Sequence, residues 1–317
     1  MLQRMLGNTG ETVSAIAFGA MAIARDPELA NGVSPALLAA LENGVSLIDT
    51  ARGYPHSEQI VGETLRAWGG ARPLISSKLL PLTTATFRRH LAIEKAYTPR
   101  SIIESVDASL RALGVETIDI IHLHQWFFQW GKEPDWLATL HDLRRAGKMR
   151  FLAISAQDHE HDALLDAVDR RIIDCVQFIY NVFELRPSVS LLPLAQERGV
   201  GTIARCVLDS GGLTDGLHPE LFAATPFLRH LPFAEYRRRT DRLRAAYVGS
   251  VVDSLDELAV RFILSDRRVS SMTLGLQSRG FVARNFDHIS NGPLPPTVVE
   301  DIRLNHVWSK NGYEAIV

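Results

Sequence analysis

The chain has 317 residues, a formal net charge of -2, 46% hydrophobic residues and 22% charged residues. This balance is ordinary for a globular protein and argues against the basic surface that binds nucleic acids. No apolar stretch approaches the ~20 residues that span a bilayer, and the first residues lack the apolar core of a secretory signal. Cys175 and Cys206 lie in apolar runs, which favours buried thiols and a reducing compartment. We therefore expect a cytoplasmic protein without a membrane or nucleic-acid partner.

Short apolar runs alternate with stretches of helical spacing along nearly the whole chain. The runs predict strands at 15–18, 46–50, 74–78, 118–124, 150–155, 174–180, 201–206 and 270–275. The amphipathic stretches predict helices at 34–43, 57–67, 99–113, 135–146, 160–169, 188–198, 254–264 and 279–288. Eight such units, with no G-x-G-x-x-G after any strand, favour a closed (β/α)8 TIM barrel over a doubly wound sheet. We expect one domain that spans residues 1–317.

Two segments lie outside this alternation. Residues 5–13 place turn residues between apolar ones before the first barrel strand, which predicts a β-hairpin that caps the bottom of the barrel. The connection after strand seven, roughly 207–250, is long and has a predicted helix from Phe233 onward. Long connections are uncommon unless they are functional, and this one lies at the C-terminal face, where barrel active sites are built.

Ionisable side chains stand where three predicted strands end. Asp49, Lys78 and His124 close strands two, three and four, and Tyr54 follows Asp49 in the next loop. An Asp, a His or a Tyr in such a place is, by itself, often a cap or a packing residue. Lys78 is harder to explain in that way, because the chain has only five lysines and a desolvated ammonium needs a partner. Asp49 on the adjacent strand can supply that partner.

Together these four residues can carry out acid catalysis. A tyrosine hydroxyl, with a pKa of ~10, is a poor acid at neutral pH, and a neighbouring ammonium lowers that pKa. Asp49 would hold Lys78 in place, and His124 would orient or polarise a substrate carbonyl. The group therefore fits protonation of an alkoxide as hydride arrives from a nicotinamide.

The motifs DTARGYPHSE, LISSK and DIIHLH resemble those of the aldo-keto reductase superfamily, and the resemblance spans nearly the whole chain. It implies an NAD(P)-dependent oxidoreductase that interconverts a carbonyl and an alcohol, with Tyr54 as general acid/base and Asp49, Lys78 and His124 completing the tetrad. The resemblance also implies which residues hold the cofactor: Ala20, Met21, Asp49, Ser155, Gln177, Arg205, Leu208, Ser210, Gly211, Gly275, Gln277, Arg279 and Asn285.

Several residues at or next to these cofactor-binding positions differ from the family pattern. Ala156 replaces an asparagine that contacts the carboxamide, and Arg205 stands where an aromatic residue often stacks on the nicotinamide. Gln277 and Phe281 replace residues near the adenosine phosphate, where Arg279 and Arg284 are close enough to substitute. The resemblance favours NADPH as the cofactor, and NADH is the alternative.

The substrate is expected to be a small molecule, either an aldehyde or ketone or a sugar or other cyclic compound, in contact with Tyr54, His124, Trp126 and Phe127. The loop 125–130 can be a pocket wall or ordinary packing, and the sequence leaves both readings open. His122 and His124 share a strand face, as in metal-dependent hydrolases, but too few further ligands follow, so we expect no metal. His122 is interpreted as packing or hydrogen bonding. A non-catalytic nicotinamide-sensing subunit of the same fold remains the alternative function, and the oligomeric state is open.

Overall fold

The computed structural model describes residues 1–83, 91–124, 126–132, 135–225, 227–228 and 231–308. Within these residues, eight parallel strands close into a barrel in the order β10-β3-β4-β5-β6-β7-β8-β9, and β1 and β2 form a separate antiparallel hairpin. The strands are β1 Gln3–Met5, β2 Thr12–Ser14, β3 Ile16–Gly19, β4 Leu47–Asp49, β5 Leu74–Lys78, β6 Ile118–His124, β7 Met149–Ser155, β8 Cys175–Ile179, β9 Gly201–Arg205 and β10 Ser271–Gly275.

Helices separate the barrel strands and cover the outside of the barrel. They are α1 Pro35–Glu42, α2 Ser57–Ala67, α3 Ile93–Ala96, α4 Pro99–Leu113, α5 Asp135–Arg145, α6 Leu165–Asp169, α7 Leu191–Arg198, α8 Pro219–Ala224, α9 Phe233–Tyr247, α10 Leu255–Ser265, α11 Arg279–Ser290 and α12 Pro296–Asn305. Capping residues in the sequence determine where several of these helices begin or end. Ser34 and Thr98 each accept a hydrogen bond from the first turn ahead of a proline, and Gly114 and Gly199 end α4 and α7 in the left-handed conformation. None of the described helices is both long and apolar enough to cross a membrane.

The predicted (β/α)8 barrel and its N-terminal hairpin are confirmed, and the strands agree with prediction to within one residue at each end. The predicted helix 160–169 is wrong in its first half, where a 3-10 turn at His161–Leu164 precedes α6. Three helices were not predicted. The helices α3 and α8 are only four and six residues long, and α12 buries only Val299 and Ile302, so its apolar period is weak. The connection 207–250 contains α8 and α9; its positions 226, 229 and 230 lie outside the described residues.

The N-terminal hairpin seals the bottom of the barrel. Its turn inserts Leu6, which is fully buried, among the first inward-facing residues of the barrel strands. Gly7 has φ +54°, and a Cβ there would lie 2.4 Å from the backbone nitrogen of Gly201. The turn therefore needs glycine at position 7 both for its backbone conformation and for its close approach to β9.

The interior of the barrel changes from apolar to polar between two successive layers of side chains. The lower layer contains Leu47, Leu74, Ile120, Ala153, Cys175 and Ile203, which pack in one buried cluster with Leu6. Two residues further along the same six strands come Asp49, Ser76, His122, Ser155, Gln177 and Arg205. Because side chains alternate along a strand, the second set faces the same interior and forms a polar layer beneath the C-terminal rim. The candidate site is built on this layer.

The contact between Gly7 and β9 predicts unequal effects of two glycine substitutions in one turn. Gly10 also has a positive φ, but a Cβ there would meet no atom within 4 Å. Gly10→Ala should therefore cost about 1 kcal/mol through backbone strain alone, whereas Gly7→Ala should cost about 3 kcal/mol or more. Urea unfolding of both variants measures the difference. Equal losses would mean that the hairpin does not press on β9.

Candidate active site

A buried ion pair lies at the centre of the polar layer. The Lys78 Nζ atom lies 2.7 Å from Asp49 Oδ1 and 3.0 Å from the carbonyl oxygen of Thr50. Both charged side chains are almost completely buried, with exposed fractions of 2% for Lys78 and 6% for Asp49. They meet because β4 and β5 are paired in parallel, with Leu47 opposite Leu74 and Asp49 opposite Ser76. Lys78, two residues beyond Ser76, therefore lies on the same face of the sheet.

The pair stays ionised despite its burial. Burial by itself would raise the pKa of Asp49, but the charge of Lys78 and hydrogen bonds from Lys78 and Gln177 outweigh it and hold that pKa below its usual range. Burial would likewise lower the pKa of Lys78, yet the charge of Asp49 and the proximity of Tyr54 keep that pKa above its usual value. The site therefore holds a permanent buried ammonium at neutral pH.

Tyr54 lies beside this ammonium. The Lys78 Nζ atom is 5.2 Å from the centroid of the Tyr54 ring. The loop that carries Tyr54 is fixed at its far end by Ser57, whose hydroxyl lies 2.7 Å from that of Thr50 and donates to the carbonyl of Ala20 at 2.9 Å. The Tyr54 side chain is only partly buried, so it faces both the ion pair and the rim of the barrel.

The two histidines of β6 have different surroundings. His124 is at the rim and partly exposed, and Tyr97 donates a hydrogen bond to its carbonyl oxygen at 2.9 Å. Burial of its ring and the charges of Lys78 and Arg205 lower its pKa to about 4. His122 is fully buried one layer below, and burial followed by the charge of Lys78 lowers its pKa to about 3. Both imidazoles are therefore neutral at pH 7.

The proposed carboxamide-binding pair is connected to the ion pair. Gln177 donates to Asp49 Oδ1 at 3.0 Å and accepts from the hydroxyl of Ser155 at 3.1 Å. Ser155 and Gln177 are opposite each other in the β7–β8 pairing, and both are fully buried. An amide group has two N–H donors and two lone pairs, so Gln177 still has one of each available for a ligand.

Arg205 is anchored at the opposite side of the barrel mouth. Its guanidinium lies 2.7 Å from Asp158 and donates to the carbonyl oxygen of Ala156 at 2.9 Å. Burial would lower its pKa, but the neighbouring Cys206 and Asp158 raise that pKa further above its usual value. The small side chain at Ala156 leaves the arginine in contact with the backbone. Arg205 is thus a fixed planar cation at the barrel mouth.

The loop after β9 has an unusual backbone. Cys206, Asp209 and Ser210 have φ between +49° and +57°, and Gly211 has φ +94°. Left-handed conformations are uncommon in residues other than glycine, and they concentrate at ligand-binding sites. Tyr236 from α9 holds this loop by donating to Asp209 at 2.5 Å. Leu208, Ser210 and Gly211, which the resemblance places around a pyrophosphate, all belong to this strained loop.

The remaining cofactor candidates lie at two other strand ends. Gly275 ends β10, and Ser278 caps α11 by accepting from the backbone N–H of Phe281 at 3.2 Å. Asn285 donates to Phe281 O, and its own Oδ1 is buried without a hydrogen-bond partner among the described residues. At the end of the adjacent strand β3, which pairs with β10, the 3-10 segment Ala20–Arg25 begins, with Ala20 buried and Met21 62% exposed.

Cations at the start of α11 are paired with acids. Arg279 lies 3.3 Å from Glu28, and Arg284 lies 3.8 Å from Asp256. Both arginines are more than 60% exposed. Gln277 lies between Gly275 and this group and is partly buried. Any anion bound here must therefore compete with carboxylates for the arginines.

The aromatic segment after β6 is mainly packing at Trp126. Trp126 is 2% exposed, donates to the carbonyl of Ala163 and makes edge contacts with Trp130 and Trp136. Phe127 is partly buried, and Phe128 is 58% exposed. Position 125 lies outside the described residues. Of the two readings of this segment, packing describes Trp126, and Phe127 and Phe128 are better placed to meet a ligand.

Two residues of the site, Ser76 and Asp158, are not predicted from the sequence. Ser76 bonds to both Asp49 and His122, and Asp158 pairs with Arg205. Ser76 carried a usable signal, because it is a polar residue in an apolar strand and lies two positions from Lys78, on the same face. Asp158 carried none, since its contact depends on how two loops meet.

The fold and the site define a (β/α)8 oxidoreductase with a tyrosine beside a buried lysine–aspartate pair. The model of the Aldo/keto reductase family matches residues 15–304, so the chain belongs to this family. Members of the family are oxidoreductases that use nicotinamide cofactors on small-molecule substrates.

Individual relatives agree with this assignment. The chain is 26% identical over 291 residues to L-galactose dehydrogenase of Arabidopsis thaliana, which covers 89% of this chain and 86% of that protein. It is 29% identical over 228 residues to NADH-specific methylglyoxal reductase of Escherichia coli (strain K12), covering 66% of this chain and 68% of that one. In fold, it is similar to an aldo-keto reductase from Bacillus halodurans in its holo form, with a TM-score of 0.76 at 24% identity and coverage of 96% and 95%.

The neutrality of His122 predicts a loss of stability in acid. Its pKa is about 3 in the folded chain and near 6.5 when unfolded, so the unfolded state binds one more proton between these values. Stability should therefore fall as pH falls below about 6.5, with a contribution from this residue of about 1.4 kcal/mol per pH unit. Urea unfolding from pH 7 to 4.5 should show a shallower decline for His122→Gln than for the wild type. Parallel curves would contradict the assignment.

Proposed function

We propose that this chain catalyses reversible hydride transfer between a nicotinamide cofactor and a carbonyl or alcohol, with Tyr54 as the general acid/base. The observation that carries the proposal is the position of Lys78, whose ammonium lies 5.2 Å from the Tyr54 ring centroid and 2.7 Å from Asp49. A buried cation beside a phenol gives electrostatic stabilisation to the phenolate that forms when the hydroxyl gives up its proton. A merely structural tyrosine does not require a lysine to be buried beside it.

The residues around the site fit a dinucleotide. Ser155 and Gln177 place a hydroxyl and an amide in the buried layer just beneath the barrel rim, and these group types suit a carboxamide. The strained loop at 206–211 follows β9, and Asn285, whose Oδ1 has no partner among the described residues, lies on α11 after β10; the two suit the pyrophosphate and the adenosine. These residues would hold the cofactor, and its nicotinamide ring would supply or accept the hydride.

Each of the other side chains of the site has its own role in the proposed reaction. Tyr54 donates its proton to the substrate oxygen in the reducing direction and takes it back in the oxidising direction. Lys78 stabilises the phenolate that is left, and Asp49 fixes Lys78. His124, being neutral, offers a hydrogen bond to the substrate oxygen without adding a second positive charge. Arg205, held in place by Asp158, would offer its planar guanidinium to a bound nicotinamide ring.

Replacement of Tyr54 by phenylalanine tests the proton donor. Removal of the hydroxyl takes away general acid catalysis, so Tyr54→Phe should lower kcat at least 10²-fold while the cofactor Kd changes little. The assay follows nicotinamide absorbance with methylglyoxal as carbonyl and L-galactose as alcohol, the compounds named for two relatives, and extends to a panel of aldehydes and sugars. Cofactor fluorescence gives the Kd.

Two outcomes would count against this assignment. Wild-type kcat in Tyr54→Phe would remove Tyr54 as the proton donor. Tight cofactor binding by the wild type, without turnover of any carbonyl or alcohol in the panel, would favour the nicotinamide-sensing subunit instead. Trp68→Phe, which removes an indole N–H that donates to the carbonyl of Ala71 away from the site and keeps an aromatic ring, is the control and should retain wild-type kcat.

The choice between NADPH and NADH depends on the arginines at the start of α11. A 2′-phosphate requires arginine or lysine, and Arg279 is the nearest candidate that the resemblance offers. The Glu28 carboxylate already pairs with Arg279, with 3.3 Å between Glu28 Oε2 and Arg279 Nε. It would repel the phosphate dianion of NADPH, whereas the ribose diol of NADH carries no such charge. We propose that the chain accepts both cofactors, with Glu28 limiting the preference for NADPH that the family resemblance implies.

Neutralising Glu28 should therefore favour NADPH selectively. Glu28→Gln should tighten NADPH binding about fivefold and leave the Kd for NADH within about twofold, since an exposed ion pair contributes up to about 1 kcal/mol. Glu104→Gln, which neutralises another exposed acid, paired with Arg100 on α4, serves as the control. Fluorescence titration of each variant with both cofactors measures the ratio. Equal tightening for NADH would contradict a contact with the phosphate.

A further inference from the structure

His122 lies beneath the catalytic group and is not needed by the chemistry proposed above. It is fully buried in the polar layer of the barrel, and its Nε2 atom lies 2.8 Å from the hydroxyl of Ser76. That hydroxyl in turn lies 3.2 Å from Asp49 Oδ1. A continuous path of hydrogen bonds therefore connects His122 on β6, through Ser76 on β5, to Asp49 on β4.

The direction of these bonds follows from counting protons. A carboxylate can only accept, so Ser76 must donate its single hydroxyl proton to Asp49. The Ser76 oxygen is then left as an acceptor, and His122 must donate from Nε2. A neutral imidazole has one N–H, which leaves Nδ1 as an acceptor. Nδ1 is buried and has no hydrogen-bond partner of good geometry among the described residues, which is compatible with this tautomer, although the backbone of Ile154 also interacts with the ring.

We infer that His122 is a positioning residue that acts through Ser76 to fix the Asp49 carboxylate, and through it Lys78 and Gln177. The inference rests on the proposed function, because it assigns a purpose to the orientation of Asp49. Among the described side chains, Asp49 Oδ1 accepts from Lys78, Ser76 and Gln177. Lys78 in turn lies beside the ring of Tyr54, and Gln177 accepts a hydrogen bond from Ser155. The Oδ1 atom of Asp49 thus helps to position both the proposed proton donor and the proposed carboxamide contact.

The hydrogen bond from Ser76 differs from the other two that Asp49 Oδ1 accepts, because Ser76 is not a group that we propose to act on substrate or cofactor. All four residues are buried on strands, but Lys78 and Gln177 lie beside Tyr54 and Ser155, whereas Ser76 and His122 connect Asp49 to the barrel wall away from the reacting groups. A donor locked in the barrel wall restricts rotation of the carboxylate about its Cβ–Cγ bond. Small displacements of a catalytic group cost rate more than they cost binding.

Variants of the two residues test the link by kinetics. Ser76→Ala should lower kcat about tenfold, the effect expected for loss of one hydrogen bond to a charged group, with cofactor Kd and substrate KM within about twofold. His122→Leu should have a similar effect. His122→Gln should recover most of the lost kcat, because its Nε2 amide nitrogen is the same number of bonds from Cα and can donate to Ser76.

A matched control separates this role from general destabilisation. Ser271 is a buried serine on β10 whose hydroxyl donates to the carbonyl of Ser14 at 2.8 Å, away from the site. Ser271→Ala should lose similar stability in urea and keep its kcat. The inference is overturned if Ser76→Ala and Ser271→Ala have equal kcat, or if His122→Gln is no more active than His122→Leu.

A second measurement requires no turnover and so distinguishes failure of this inference from failure of the proposed function. Nitrogen-15 spectra of histidine-labelled wild-type protein at pH 7, with the His122 signals assigned by their loss in His122→Gln, report which ring nitrogen carries the proton. Protonated Nε2 and bare Nδ1 are expected. A proton on Nδ1 would overturn the inference even if the enzyme is fully active, and protonated Nε2 would support the link even if no substrate is found.

Discussion

The ion pair between Lys78 and Asp49 is the constraint on which the site depends. A buried pair of this kind gives little net stability, because desolvation of the two charges offsets most of their attraction, and removal of either partner would leave an uncompensated charge. The barrel therefore has to supply further donors to Asp49 and a backbone acceptor to Lys78, and both are present. What the pair provides is a fixed positive charge beside Tyr54.

The polar layer of the barrel follows from this requirement. An ionised pair could not lie directly on an apolar core, and the other five residues of the layer that contains Asp49 are polar or charged where the layer below is apolar. The network from His122 to Ser155 crosses the barrel through one carboxylate oxygen. A change at Ser76, His122 or Gln177 in this layer therefore reaches Asp49 through hydrogen bonds, which ties the proton donor and the proposed cofactor contacts to a single geometry.

Much of the fold and part of the site could be predicted from the sequence. Near-continuous apolar runs alternating with amphipathic stretches indicated the barrel, and the hairpin was indicated by its turn residues. Asp49, Lys78 and His124 could be grouped because parallel strands end at the same rim. Helices α3, α8 and α12 could not be predicted, because they are short or bury too few side chains to give a period.

The sequence by itself determined which chemical groups the rim carries, since strand periodicity fixes the face on which each residue lies and the order of strands fixes the end at which they meet. Only the tertiary structure decided which of those groups bond to one another. Strand register placed Ser76 between Asp49 and His122, and the meeting of two loops gave Arg205 its partner Asp158. Such contacts depend on distances of a few tenths of an ångström between residues far apart in the chain, and local sequence patterns carry no information on that scale.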